Sequence, residues 1–303
     1  MNAEELIKQG VKKNLQGDYE GAIALFNHAL QLNPNLAEAY HNRGHAYLQL
    51  ETFEQAIADY QQVLNIIQNS FPLPQNIPQN IQNIIQNINF DIAKAFHNQG
   101  LARFRNGDDQ AAIADINQAL QYSPDFVAAY SNRGNILHIL GNYKEAIADY
   151  NQAIKLNPNI AAAYHNRGNS RYALQDYQGA ITDYHQALEI NSNFAEAYYN
   201  RGLVMSHLED YEQAISDFNQ AIKLHPDDDQ AYYQRGLVYS NLGNYEKAIA
   251  DYNLALQINP ILSIVYGLRA NARYHLGDYE GAIADSNILL QLNPQLAEKI
   301  SNG

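Results

Sequence analysis

Apolar and polar positions alternate along this chain with helical spacing, in paired segments separated by a short polar break. In the stretch from Phe126 to Pro158, FVAAYSNRGNILHILGNYKEAIADYNQAIKLNP, Tyr130, Gly134 and Leu137 fall three and four residues apart and mark one face of a first helix. Ala146, Tyr150 and Ala153, flanked by Ile147 and Ile154, mark a face of a second. Gly141 suits the left-handed residue that ends the first helix. Asn142 is placed to cap the second by accepting a backbone N–H. Pro158 stops it. The pattern therefore predicts a helical hairpin, with Gly134, Ala146 and Ala153 small enough for close helix–helix contact. A hairpin this short cannot bury its own apolar face and must stack on neighbours.

The same pattern recurs with a fixed period. Gly134, Gly168, Gly202 and Gly236 stand 34 residues apart, Gly10 and Gly44 have the same separation, and Ala270 takes the next slot. The small residue of the second helix recurs as Ala22, Ala56, Ala112, Ala146, Ala180, Ala214, Ala248 and Ala282. Good N-cap residues recur too: Asp18, Thr52, Asp108, Asn142, Asp176, Asp210, Asn244 and Asp278. This length and this small–aromatic–small–proline order resemble the tetratricopeptide repeat (TPR) family, with a bacterial-type consensus. The usual first-helix Trp is Tyr at 40, 130, 164, 198, 232 and 266, with Phe96 and Leu6 in the other slots; the chain has 23 Tyr and no Trp. The resemblance implies an all-α, right-handed superhelix (an α-solenoid) whose first helices line a concave face.

Eight hairpins are expected, at about 3–36, 37–70, 93–126, 127–160, 161–194, 195–228, 229–262 and 263–296, forming one solenoid over 1–303. A 22-residue insertion, about 71–92, separates the second hairpin from the third. Repeat two has Gln68 in place of its terminal proline, so its second helix should run on towards Ser70. Pro72, Pro74 and Pro78 make the start of the insertion a loop. Ile77, Ile81, Ile84, Ile85, Ile88 and Ile92 then form a seam with helical spacing. The seam predicts a helix from about Gln79 that continues into the first helix of repeat three, ending near Asn106. It either covers repeats two and three or, through Ile77, Ile81, Ile84 and Ile88, serves self-association or partner docking. In repeat eight Ser286 and Leu289 replace the aromatic and the small residue. Residues 297–303 read as a truncated cap, which makes the end self-sufficient, covered by another copy, or part of something longer.

Composition narrows the function. The chain has no Cys, a formal charge of −13 and no apolar run near the roughly 20 residues of a membrane span. Sequence-independent nucleic-acid binding is disfavoured by that charge. No signal peptide opens the chain, so a cytoplasmic location is expected. No phosphate loop, nucleophile elbow or acid–base pair outside the repeat pattern is present, so neither enzyme activity nor a cofactor is expected.

The candidate chemistry lies on the first helices. Asn42, Asn98, Asn132, Asn166 and Asn200, followed by Gln234, form a ladder away from the packing face. An amide offers a donor and an acceptor, so it can pair with an extended backbone of any sequence. The ladder resembles the one that O-GlcNAc transferase and kinesin light-chain TPRs use to hold peptides; the alternative is that these residues bond within the scaffold. His41, His97, His165, Tyr199 and Tyr233, with Asn135 and Asn169, flank it. Lys94 is the one basic residue in a slot comparable with those that chaperone-binding members use to clamp a carboxylate, which argues against that role. His41 and His45, four residues apart, make a weak chelate without a Cys or carboxylate, so no metal site is expected. Arg43, Arg133, Arg167, Arg201, Arg235 and Arg269 each precede an Asp by sixteen residues, a structural pairing. Asp115, whose own partner slot holds Gln99, is expected to serve Arg133. The function expected is a non-catalytic scaffold or adaptor that binds an extended peptide of a protein partner; the alternative is a self-assembling module, a homo-oligomer.

Overall fold

The computed structural model describes residues 1–70 and 77–294. The chain divides into two compact units, Met1–Asn157 and Pro158–Gly303. The first holds α1 (Ala3–Leu15), α2 (Tyr19–Leu32), α3 (Ala37–Gln49), α4 (Phe53–Ser70), α5 (Gln79–Arg105), α6 (Asp109–Tyr122), α7 (Val127–Ile139) and α8 (Tyr143–Leu156). The second holds α9 (Ala161–Ala173), α10 (Tyr177–Ile190), α11 (Ala195–His207), α12 (Tyr211–Leu224), α13 (Asp229–Asn241), α14 (Tyr245–Ile258), α15 (Ser263–His275) and α16 (Tyr279–Leu292). No strand occurs among the described residues. Each odd helix packs on the even helix that follows it, as the paired apolar faces require.

The hairpin is held by one recurrent close approach. A Cβ added at Gly44, Gly134 or Gly168 would stand 2.7–2.8 Å from the ring of Tyr60, Tyr150 or Tyr184. The ring packs against bare backbone, and all three tyrosines are essentially fully buried. A methyl group inserted there overpacks the contact. In the last hairpin the ring is replaced by Ser286, whose hydroxyl donates back to Ala282, and the facing slot is Ala270 rather than Gly. The Ala270 methyl does not fill the space of the missing ring, and a cleft of about 460 Å³ opens there, lined by Ala270, Tyr274, Ala282 and Ser286 among others.

The turn between the two helices of each hairpin contains one left-handed residue. It is Gly17, Gly107, Gly141, Gly243 or Gly277, with φ of 73–82°, and Glu51, Gln175 or Glu209, with φ of 55–63°. The side chains of Asp18, Asp108, Asp176, Asp210, Asn244 and Asp278 then cap the second helix. Two expected caps differ. Asn142 makes no side-chain cap bond, and the Thr52 hydroxyl donates backwards to the Tyr47 carbonyl at 3.0 Å.

α4 extends to Ser70, and α5 runs 27 residues without a break into the third hairpin. Pro72, Pro74 and the expected cap at 297–303 lie outside the described residues. Ile88 and Ile92 are buried in one core with Ile57, Tyr60 and Val63 of α4. Ile77, Ile81 and Ile85 are partly buried and Ile84 is exposed.

Candidate functional site

First helices touch one another within each unit: α1 with α3, α5 with α7, and α9, α11, α13 and α15 in succession. The ladder positions Asn42, Asn98 and Asn132 sit on α3, α5 and α7; Asn166, Asn200 and Gln234 sit on α9, α11 and α13, all half-buried. Several are tied into the scaffold. The buried His97 sets Nδ1 3.2 Å from Asn98 Oδ1 and Nε2 2.9 Å from Asn132 Nδ2. His165 repeats this, at 3.1 Å to Asn166 Oδ1 and 2.9 Å to Asn200 Nδ2. Such a bridge needs a neutral ring, with Nδ1–H donating and Nε2 accepting. Burial pushes both imidazoles below their ordinary range, which matches. The ladder therefore spends its Asn132 and Asn200 amines on the neighbouring hairpin. Asn42 donates to its own helix, to the Glu38 carbonyl at 2.8 Å. Asn135 and Asn169 each accept from a tyrosine, Tyr150 and Tyr184, at 2.8 Å. Tyr199 and Tyr233 are half-buried beside the ladder, and burial pushes the Tyr199 phenol up to about 12.

The Arg row forms forks. Arg167 Nε and Nη2 donate to the two carboxylate oxygens of Asp183 at 3.0 and 2.6 Å, and Arg43, Arg133, Arg201, Arg235 and Arg269 do likewise with their partners. Each guanidinium also lies over the first-helix tyrosine, 5.3–5.7 Å from its ring centroid. Arg43, Arg133, Arg235 and Arg269 reach an Asn of the preceding second helix, namely Asn27, Asn117, Asn219 and Asn253. The row thus fixes register between hairpins. The expectation for Asp115 is corrected: it pairs with Arg103 at 3.0 Å, while Arg133 takes Asp149. Arg103 occupies the slot of Arg171 and Arg273, which add a second guanidinium to Asp183 and Asp285 at 2.9 and 3.0 Å.

The second hairpin departs from this scheme. His41 Nε2 lies 2.9 Å from Asp91 Oδ2, a residue of α5, and His45 Nε2 lies 3.8 Å from the same oxygen. The two imidazoles meet edge-on, 4.6 Å apart. Burial, with His41 beside it, holds the His45 imidazole low. A separate cleft of about 930 Å³ opens between α5 and the α6–α7 turn, lined by Gln82, Phe90, Tyr122 and Phe126 among others.

The sequence matches the tetratricopeptide repeat profile at residues 37–70, 127–160 and 230–261, and a second TPR-repeat profile at 13–51, 100–140, 168–208 and 207–243. These spans cover more than half of the chain. The chain belongs to the tetratricopeptide repeat family. No curated protein matches its sequence. Among solved structures, MamA is 26% identical with a TM-score of 0.51, over 53% of this chain and 94% of that one. YrrB, titled a TPR protein with an unusual peptide-binding site, is 21% identical with a TM-score of 0.53, over 62% and 98%. The C-terminal part of a TPR repeat-containing protein from Cytophaga hutchinsonii is 17% identical with a TM-score of 0.61, over 84% and 95%.

The TPR repeat is in general a non-catalytic module for protein–protein interaction, and the fold of this chain is that of such a scaffold. No helix among the described residues is long and apolar enough to cross a membrane. Two features of this TPR chain escape its repeat pattern: Asp91 beside His41 and His45, and the cleft along α5. Both depend on the insertion, which makes helical at Asp91 a slot that is a turn at Asp125 and Asn159.

Proposed function

We propose that this TPR chain is a cytoplasmic adaptor that binds an extended peptide segment of a protein partner along its first helices. The observation that carries this is the recurrence of one amide on successive first helices, among aromatic and imidazole rings and almost without charge. The intramolecular bonds refine the mode. With their amines held by His97 and His165, Asn132 and Asn200 turn side-chain carbonyls to the peptide N–H groups, whereas the carbonyls of Asn98 and Asn166 already accept from the same two rings. Acceptors at these two rungs bind any sequence in extended form, and Tyr199 and Tyr233 select among side chains.

The test is binding of an immobilised array of extended peptides to wild type and to the Asn132→Ala/Asn166→Ala/Asn200→Ala variant, with thermal unfolding recorded for both. The expected result is a loss of at least tenfold in affinity for the best peptides. Unchanged affinity would refute the ladder. Loss of the helical signal would assign these residues to the scaffold instead.

Self-association is the second reading, favoured by exposure of Tyr274, Tyr279 and Ile283 on α15 and α16. A light-scattering mass that stays at one chain across a hundredfold dilution series would exclude it.

A further inference from the structure

We propose that His41, His45 and Asp91 form a binding site for a divalent transition-metal ion, with Zn²⁺ the ion their chemistry favours. Two imidazoles and one carboxylate are ligands that zinc accepts, with a fourth position left for water. Residues four apart on α3 present both rings on one face, and α5 delivers the carboxylate to that face. The ligand atoms lie within 4.8 Å of one another. Ligand atoms of a tetrahedral zinc centre stand about 3.3 Å apart, from metal–ligand distances of about 2.0–2.1 Å. The observed separations of 2.9 and 3.8 Å to Asp91 bracket that value, so small side-chain rotations complete the centre. A single hydrogen bond to His41 would account for Asp91 but not for a second imidazole turned to the same oxygen. The side chains are 34%, 40% and 14% exposed, open enough for an ion and its water to enter. Among the described residues no other trio of this kind occurs.

A comparison between hairpins supplies an independent observation. Asn135 and Asn169 stand where His45 stands, and each accepts the hydroxyl of the ring packed against its glycine, Tyr150 or Tyr184. In the second hairpin that ring is Tyr60. Its hydroxyl is buried and bonded to nothing in the protein, although the rings of His41 and His45 lie 5.8 and 5.6 Å from its own. A buried hydroxyl demands a partner; Tyr252 carries the same unpartnered hydroxyl without a ligand trio beside it, so Tyr60 is compatible with water on a bound ion and the ligand geometry carries the proposal. Lys94 is the opposing charge near this cluster; its ammonium lies 6.0 Å from the Phe90 ring centroid.

The experiment is calorimetric titration of the metal-free full chain with Zn²⁺ alone, with visible absorption of the Co²⁺ form reporting geometry. Wild type is expected to bind one ion per chain and to give the intense absorption of a tetrahedral centre. Asp91→Asn, which keeps the shape and a hydrogen bond to His41, should weaken binding at least tenfold. His45→Asn installs the residue that the fourth and fifth hairpins already hold and so preserves the fold; it should abolish binding. His185 and Glu189, an exposed pair 3.4 Å apart, are the adventitious alternative, and His185→Ala should change nothing. Absence of saturable binding in wild type, unchanged binding in either site variant, or loss of binding with His185→Ala would each overturn the proposal.

Discussion

The hairpins α9–α10 and α3–α4 are built on the same frame and differ in what their polar residues hold. In both, a glycine receives a buried tyrosine ring and an Arg–Asp fork joins the helices. In α9–α10 every further polar contact stays within the repeat scheme: His165 bridges Asn166 and Asn200, and Asn169 takes the Tyr184 hydroxyl. In α3–α4 the slot of Asn169 is His45, and the insertion helix brings Asp91 to His41. One substitution and one foreign carboxylate turn a closed hydrogen-bond scheme into a cluster with ligand character. The frame tolerates this because packing, not the polar wall, holds the hairpin.

The largest difference between the two should appear at the forks. Asp183 is 1% exposed and holds two guanidinium groups, Arg167 and Arg171. Asp59 holds Arg43. Removing one member of a buried pair leaves its partner uncompensated, at about 3–5 kcal/mol. Asp183→Ala is expected to cost that much in urea unfolding, and Asp59→Ala less, because it strands one guanidinium rather than two. Equal costs would show that the second arginine adds nothing.

These particulars also show what the sequence makes legible. The period, the small slots of both helices and the Arg–Asp spacing are readable because each recurs at a constant offset within one hairpin. Contacts between hairpins are harder. The His97–Asn132 and His165–Asn200 bonds span 35 residues, which the repeat fixes in principle, but the two residue types each have an equally good solvent-facing role. The pairing of Asp115 with Arg103 rather than Arg133 follows from Arg103 lying on the same hairpin, while Arg133 already has Asp149 to hand. Asp91 was not legible at all. It shares the 34-residue register of Asp125 and Asn159, but those lie in turns, and its approach to His41 depends on where a 27-residue helix lies across α4.

A smaller effect should separate the histidines by pH. Burial lowers the His165 imidazole from the ordinary value of 6.5, so the folded state keeps it neutral where the unfolded chain does not. Above about pH 6.5 neither state binds the proton and the His165 bridge contributes fully. As pH falls through that value the unfolded chain takes up the proton first, and stability declines until the folded-state value is passed. His165→Gln keeps an amide donor and acceptor but does not titrate. Its melting temperature should fall less than that of wild type between pH 7.5 and 5.5. Parallel curves would mean that His165 is not held neutral by its two amides.

The smallest expected change lies in the turns, where the two hairpins should behave alike. Glu51 and Gln175 occupy the left-handed slot at φ of 55° and 63°. An L-residue pays roughly 1–2 kcal/mol there for the approach of its Cβ to the backbone. Glycine removes that cost but adds chain entropy to the unfolded state, worth roughly 0.4–1 kcal/mol. Glu51→Gly and Gln175→Gly should therefore each stabilise by about 0.5–1 kcal/mol in urea unfolding. The slot is local, so the insertion that reshapes the polar wall of α3 should leave its turn untouched and the two gains should agree. A larger gain at Glu51 would show that α5, packed on α4, strains the turn as well as supplying Asp91, and the two hairpins would then differ in frame and not only in what the frame carries.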